Sequence, residues 1–282
     1  MYSSEKKLKK VFFALLTGLI AATVIVACSK EEEEDDDMSE ILAATIHAKW
    51  VISTPNSDYT FFEFSKTGRY IAVDSNIRII YFGTYRIDKS KIILNGCGTI
   101  NAIAITNEKF TFSFTHFETG KINEYVANRA KDVIPSSNST SMLCRTWVID
   151  KVSIDENLMP EKNIADLINK YGENWKDIEE ELLNEELVET RVYFSRAGTY
   201  LWIHYGDDSN DGEAILAEWK WVNKEETTFY YSKNKWTTSR IVQINELNDT
   251  DLILQEGWEI YHLSPVQQIT LLQSLRATNN IK

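Results

Sequence analysis

One pattern occurs twice in this chain, and that constrains its fold more than any bulk property. Glu63-Phe64-Ser65-Lys66-Thr67-Gly68-Arg69-Tyr70 aligns with Tyr193-Phe194-Ser195-Arg196-Ala197-Gly198-Thr199-Tyr200 at a constant offset of 130 residues. Upstream of each copy stands a tryptophan-centred run, Lys49-Trp50-Val51-Ile52 and Thr146-Trp147-Val148-Ile149, and downstream Ile105 to Phe112 matches Leu247 to Leu254. Landmarks repeated in one order mark an internal duplication. The tryptophan runs lie only 97 residues apart, so the second copy has gained 33 residues between its first and second strands.

Within each copy, short β-branched and aromatic runs are punctuated by Gly, Asn and Asp, the texture of an antiparallel all-β protein. Hairpin signals at Lys66-Thr67-Gly68, Asn95-Gly96, Asn107-Glu108 and Glu118-Thr119-Gly120 divide the first copy into about eight strands. Eight antiparallel strands in sequence order close most economically into an up-and-down barrel, which leaves no unpaired edge; a sandwich is the alternative. The expected fold is therefore all-β, two tandem small antiparallel barrels. With 8 Trp, 13 Tyr and 12 Phe against 11 Gly and 4 Pro, disordered and collagen-like classes are excluded. A net charge of −12 argues against nucleic acid as a partner.

The amino terminus reads as an address. Lys6, Lys7, Lys9 and Lys10 precede the apolar run Val11 to Ala27, in the order of a secretory signal. Ile25-Val26-Ala27-Cys28 resembles the lipobox of bacterial lipoproteins, which implies cleavage after residue 27 and diacylglycerol and palmitate on Cys28. Behind it, Glu31 to Asp37 is an unbroken acidic run: a solvated tether by its charge, and similar to the surface-export signal of Bacteroidota lipoproteins. An uncleaved membrane anchor is the other reading of residues 11–27.

The body resembles the tandem lipocalin-like domains of Bacteroidota lipoproteins, in its opening Trp strand, its Phe-Ser-x-x-Gly-x-Tyr hairpin and the alternating strands that follow. On this reading residues 1–27 are the signal peptide, 28–40 an acidic tether, 41–134 the first lipocalin-like domain, 135–142 a polar linker and 143–282 the second. A helical insertion at about 155–189 carries Ile164, Leu167, Ile168 and Tyr171, then Trp175, Ile178 and Leu182, at helical spacing, with a break at Gly172. It is read either as a lid over a cavity or as a pad against the barrel end. Ser264-Pro265 reads as an N-cap and first helical position for a terminal helix at about 264–277.

Little in the sequence is catalytic. No His-Glu-x-x-His, Gly-x-Ser-x-Gly or phosphate loop occurs, and His47, His116, His204 and His262 are scattered. The expectation is a protein that is not an enzyme and has no cofactor beyond the covalent lipid, with a partial calcium site at Asp207, Ser209 and Asp211 as the one alternative. Asp207, Ser209 and Asp211, followed by Gly212, open like a calcium loop, but Glu218 at position twelve falls in the strand expected over 214–222, too far to return as a ligand. Cys97 and Cys144 could pair outside the cytoplasm, worth about 4 kcal/mol of unfolded-state restriction. Tyr200, Trp202, Trp219, Trp221 and Trp258 are the candidate ligand-binding aromatics, as a glycan-stacking platform or as the filling of a small barrel.

Together these readings describe a lipoprotein of the outer membrane, held at the cell surface by its lipid, that binds a small molecule or glycan. The alternative is a non-catalytic interaction scaffold whose partner is another envelope protein met through the acidic insertion.

Overall fold

The computed structural model describes residues 38–75, 79–186, 190–204, 214–232 and 240–266. Residues 1–37, which hold the expected signal peptide, Cys28 and the acidic run, lie outside these residues, as does the loop holding Asp207, Ser209 and Asp211. Sixteen strands form two closed barrels, each of eight antiparallel strands in sequence order. By contacts the chain divides into two units, Met1–Phe64 with Arg69–Arg129, and Ser65–Gly68 with Ala130–Lys282.

The first barrel runs β1 (Lys49–Ile52), β2 (Tyr59–Phe64), β3 (Arg69–Asp74), β4 (Ile80–Asp88), β5 (Lys91–Leu94), β6 (Gly98–Ile105), β7 (Lys109–His116) and β8 (Ile122–Arg129), and closes by pairing of β1 with β8. The second runs β9 (Thr146–Ile154), β10 (Arg191–Phe194), β11 (Thr199–Ile203), β12 (Ala214–Trp221), β13 (Thr228–Ser232), β14 (Ile241–Leu247), β15 (Leu252–Glu256) and β16 (Glu259–Pro265), and closes by pairing of β16 with β9. Alternation of side chains sends one face of every strand inward. Phe62, Phe64, Phe110, Phe112 and Phe114 fill the first barrel; Phe194, Trp219, Phe229 and Leu254 are among those filling the second.

The repeated motif is a turn with a structural reason behind each fixed position. Gly68 and Gly198 have φ of 74° and 82°, a conformation that costs a side chain roughly 1–2 kcal/mol. Their amides donate to the carbonyls of Ser65 and Ser195 at 3.2 and 3.1 Å. The Phe before the turn and the Tyr after it both point into the barrel, so Phe64, Tyr70, Phe194 and Tyr200 are all buried.

A short helix precedes each barrel, and the sequence reading misses both. The chain is helical over 38–45 (α1), where a tether and the start of the first domain are expected, and over Asn138–Leu143 (α2), where a linker is expected. The opening tryptophan explains them. The Trp50 indole N–H donates to the Ile46 carbonyl at 2.9 Å, and the Trp147 indole N–H donates to the Leu143 carbonyl at 3.0 Å, four residues back in both cases. Leu42, Ile46 and Leu143 are fully buried in the respective cores. Ser137 caps α2, its hydroxyl accepting from the Thr140 amide.

The insertion forms α3 (Glu161–Tyr171) and α4 (Trp175–Glu186), separated at Gly172 as expected. It is fastened to the wall of the second barrel. Strand β10 is short and pairs with β9 only over Thr146–Val148, which leaves the far half of β9 without a strand on that side. Helix α4 takes its place: the Asn184 side chain accepts from the Val152 amide at 2.7 Å and donates to the Val152 carbonyl at 3.1 Å, and Glu180 accepts from the Ile154 amide at 3.0 Å. Side chains thus satisfy backbone groups that would otherwise form an open edge. Trp175, Met159 and Ile154 bury a satellite cluster there, with Ile164, Leu167, Tyr171, Leu183 and Trp258 against it.

One expectation is corrected. Ser264 and Pro265 belong to β16, so the chain is still extended where a helix was expected to start; residues 267–282 lie outside the described ones. Pro265 sits beyond the last β15–β16 pair, Leu252 with Leu263, so its missing N–H breaks no bond in that ladder. Cys97 lies within the first barrel's core and Cys144 packs against the second's. Among the described residues no helix is long and apolar enough to cross a membrane.

Candidate functional site

Each barrel has one end tied to its helix and one end away from it. In the second barrel, the Trp147 indole and the Trp221 indole both hold α2, the latter donating to the Thr140 hydroxyl at 2.9 Å. Trp219 stands beside Trp221 with centroids 5.2 Å apart and donates to the Ser195 carbonyl at 3.0 Å. The opposite end is the mouth, where β9, β11, β13 and β15 finish and the long connections 155–190, 204–213 and 233–240 begin or end.

Toward that mouth the inward face changes character. Along β15 the inward residues are Leu252, Leu254 and Glu256; along β16, read outward to the mouth, they are Leu263, Tyr261 and Glu259. Tyr200 lies flat on Tyr231, centroids 4.5 Å apart and planes 20° apart. Trp202 meets Tyr261 edge to face at 5.5 Å across the interior. The Tyr231 hydroxyl donates to the Glu256 carboxylate, 3.0 and 3.2 Å from its two oxygens, and accepts from the Arg240 guanidinium at 3.1 Å. Tyr261 donates to the Glu259 carboxylate.

The electrostatics follow from partial burial. Withdrawal from water raises the Glu256 carboxyl above the usual range, against the lowering effect of the Tyr231 hydroxyl and Arg240. Burial likewise pushes the Tyr231 phenol up to about 12 and holds Tyr200 and Tyr261 well above the ordinary value, so all three stay neutral donors. Trp202, Glu256, Glu259 and Tyr261 are half-buried and Arg240 is exposed at the rim, so water reaches this end.

The five aromatics expected to bind ligand fall into three places. Trp219 and Trp221 build the helix-tied end, Trp219 being 1% exposed, and hold the fold rather than a ring-stacking surface. Tyr200, 3% exposed, supports Tyr231 from below. Trp258 packs on the insertion at the β15–β16 turn. Trp202 alone of the five is half-exposed inside the mouth. Of the residues that join it there, Tyr231 is one of the second copy's many aromatics, whereas Arg240, Glu256, Glu259 and Tyr261 were not singled out from the sequence. Their signal is a carboxylate in phase with two leucines on an alternating strand, as in Leu252, Leu254, Glu256.

Glu218 stands in β12 opposite Thr199 and Ser232, consistent with its exclusion from a calcium loop. No group of three His, Cys, Asp or Glu that could hold a metal is found among the described residues. His116 contacts the Tyr81 hydroxyl at 3.2 Å, His204 the Thr190 hydroxyl at 3.0 Å and His262 the Ser153 hydroxyl at 3.2 Å, each in a separate place.

The corresponding end of the first barrel is packed by its own rings, with Tyr81 and His116 half-buried at its rim. Tyr59 packs edge to face on Phe114 at 5.2 Å and on Tyr125 at 6.1 Å, and the Cys97 thiol is buried among them, its pKa pushed up to about 12 by desolvation. Asp58 there receives Lys121 at 2.6 Å and Asn123 at 3.0 Å.

The fold thus defines a tandem of closed eight-stranded up-and-down barrels, one with its far end packed by aromatic rings and one with a polar, half-buried mouth. No protein-family model matches the chain, and no curated protein sequence does.

Proposed function

We propose that this chain is a binding protein and not an enzyme: a lipoprotein of the outer membrane, anchored by lipid on Cys28 and displayed at the cell surface, that takes a small molecule or glycan at the mouth of its second barrel. The observation that carries the binding reading is the inward-facing pair Trp202 and Tyr261, half-exposed beside Glu256 and Glu259 in an otherwise apolar barrel. Polar groups converging on aromatic walls at a barrel mouth are the ordinary composition of a ligand site.

The test is a thermal-shift screen of the mature chain against small molecules and glycans, since a ligand that binds the native state raises the midpoint by mass action. A saturable shift that disappears in Trp202→Ala supports the reading; no shift with any compound overturns it. Palmitate labelling of the cells, lost in Cys28→Ala, tests the anchor, and protease accessibility on intact cells tests the surface placement.

A second reading has its own observation. On the insertion, Leu158, Ile168 and Leu182 stay 56%, 41% and 44% exposed, and α3 buries none of its residues fully. Such a surface suits an envelope-protein partner. It would be favoured by a partner recovered from the envelope and lost in Ile168→Glu with Leu182→Glu, in a chain that binds no small compound.

A further inference from the structure

We infer that the ligand of the second barrel's mouth is a cation, an amine-bearing small molecule whose ammonium group sits between the carboxylates of Glu256 and Glu259 and the rings of Trp202, Tyr231 and Tyr261. This rests on the binding reading above and names its substrate class.

Two inward carboxylates have more acceptor capacity than the chain fills. An ionised carboxylate offers about four lone-pair sites. Glu256 receives the single proton of the Tyr231 hydroxyl, and Glu259 that of Tyr261. An ammonium group brings up to three donors and the opposite charge, which offsets the desolvation that raises Glu256. The neighbouring rings add attraction at their faces, since their quadrupole is negative there. The chain already places one cation in this field: the Arg240 guanidinium lies 5.6 Å from the Tyr231 ring centre.

The first barrel supplies a contrast. At its corresponding end the carboxylate of Asp58 has an internal lysine, Lys121 at 2.6 Å, and a side-chain amide besides. At the second barrel's mouth the Arg240 charge also acts on Glu256, but its guanidinium hydrogen-bonds the Tyr231 hydroxyl, and among the described residues no lysine or arginine pairs directly with Glu256 or Glu259. A carboxylate ligand would bring a third negative charge beside Glu256 and Glu259.

Two of the three long connections at this end are acidic. The insertion over 155–189 holds twelve acids against Lys162, Lys170 and Lys176, and the connection from β11 to β12 adds Asp207, Asp208, Asp211 and Glu213 with no base. Both connections start from strands that end at the mouth. The third connection at this end, from β13 to β14, carries Lys233, Lys235 and Arg240 and no acid, so the inference rests on the inward carboxylates and rings themselves.

The experiment is calorimetric titration of the mature chain with 2-phenylethylammonium and spermidine, and with phenylacetate and neutral 2-phenylethanol as controls. Binding of an amine at least tenfold tighter than either control is expected, weakening as salt is added and falling at least tenfold in both Glu256→Gln and Glu259→Gln, each checked for an unchanged fold by circular dichroism. Equal or tighter binding of phenylacetate or phenylethanol, or amine affinity untouched by both variants, overturns the cation inference and leaves the binding reading standing. Silence from all four probes overturns the cation inference too; if the broader screen of compounds and glycans is also silent, the binding reading falls with it.

Discussion

The two barrels share a wall design and part company at one end. Both begin with a helix tied by an indole N–H to a carbonyl four residues back, both turn at a left-handed glycine between a buried Phe and a buried Tyr, and both close first strand on last. In the first, short connections let Tyr59, Phe114 and Tyr125 pack the far end over a buried thiol. In the second, a helix stands in for half a strand and the far end is left polar. Duplication kept what makes the barrel and released what fills it. The lesson is that function in such a pair is to be sought where the copies differ.

The comparison can be broken most sharply at what the copies share. Trp50→Ala and Trp147→Ala should each cost about 3–5 kcal/mol, because each empties a fully buried site and frees a helix carbonyl. Urea denaturation followed by circular dichroism measures this; a mild effect in one copy alone would mean that the helix is structural in only the other. Gly198→Ala should cost about 1–2 kcal/mol, from its positive φ and from a Cβ that would stand 2.7 Å from Val133 Cγ2. Stability unchanged in that variant would remove the explanation of the repeated glycine.

The differences are sharpened by smaller effects. Cys97 should resist alkylation at neutral pH until the first barrel unfolds, its thiol being raised to about 12; prompt labelling of the native chain would mean that this end opens as the second's does. Glu256→Gln should raise the thermal midpoint at neutral pH, and the gain should shrink as pH falls. The sign follows from linkage. With its folded pKa above the unfolded value, Glu256 binds more protons folded than unfolded, so stability drops as pH rises from the ordinary carboxylate range through the folded value. A variant less stable than wild type at pH 7 would show that Glu256 is a structural acid.

Much of this architecture was legible from the chain. Alternation, hairpin residues and the duplication suffice for two closed barrels, because a period of two and edge avoidance leave few other outcomes. The helices before each barrel were not legible. Asn138-Ser139-Thr140-Ser141 has weak helical propensity, and what makes it helical is the burial of Leu143 and bonds from Trp147 and Trp221, the latter 81 residues away. Ser264-Pro265 misled in the opposite direction: a good local helix start was overridden by β9 waiting for a partner. Aromatic richness in the second copy was visible, but not that Trp219 and Trp202 serve opposite ends. That depends on register, which fixes how far along the barrel axis each ring lies.

The ladder that closes each wall also sets an order in time. In the first copy β1 must wait for β8, and Trp50 pairs with Arg129; in the second β9 must wait for β16, and Trp147 pairs with Pro265, across the whole insertion. Contacts so far apart in sequence are slow to form, because the loop must close before the pairing rewards it. As the chain emerges from synthesis the first barrel can complete once residue 129 is free, while the second stays an open sheet with two bare edges until its final strand arrives. A chain cut short before Glu259 would keep those edges permanently, and would join its neighbours through them.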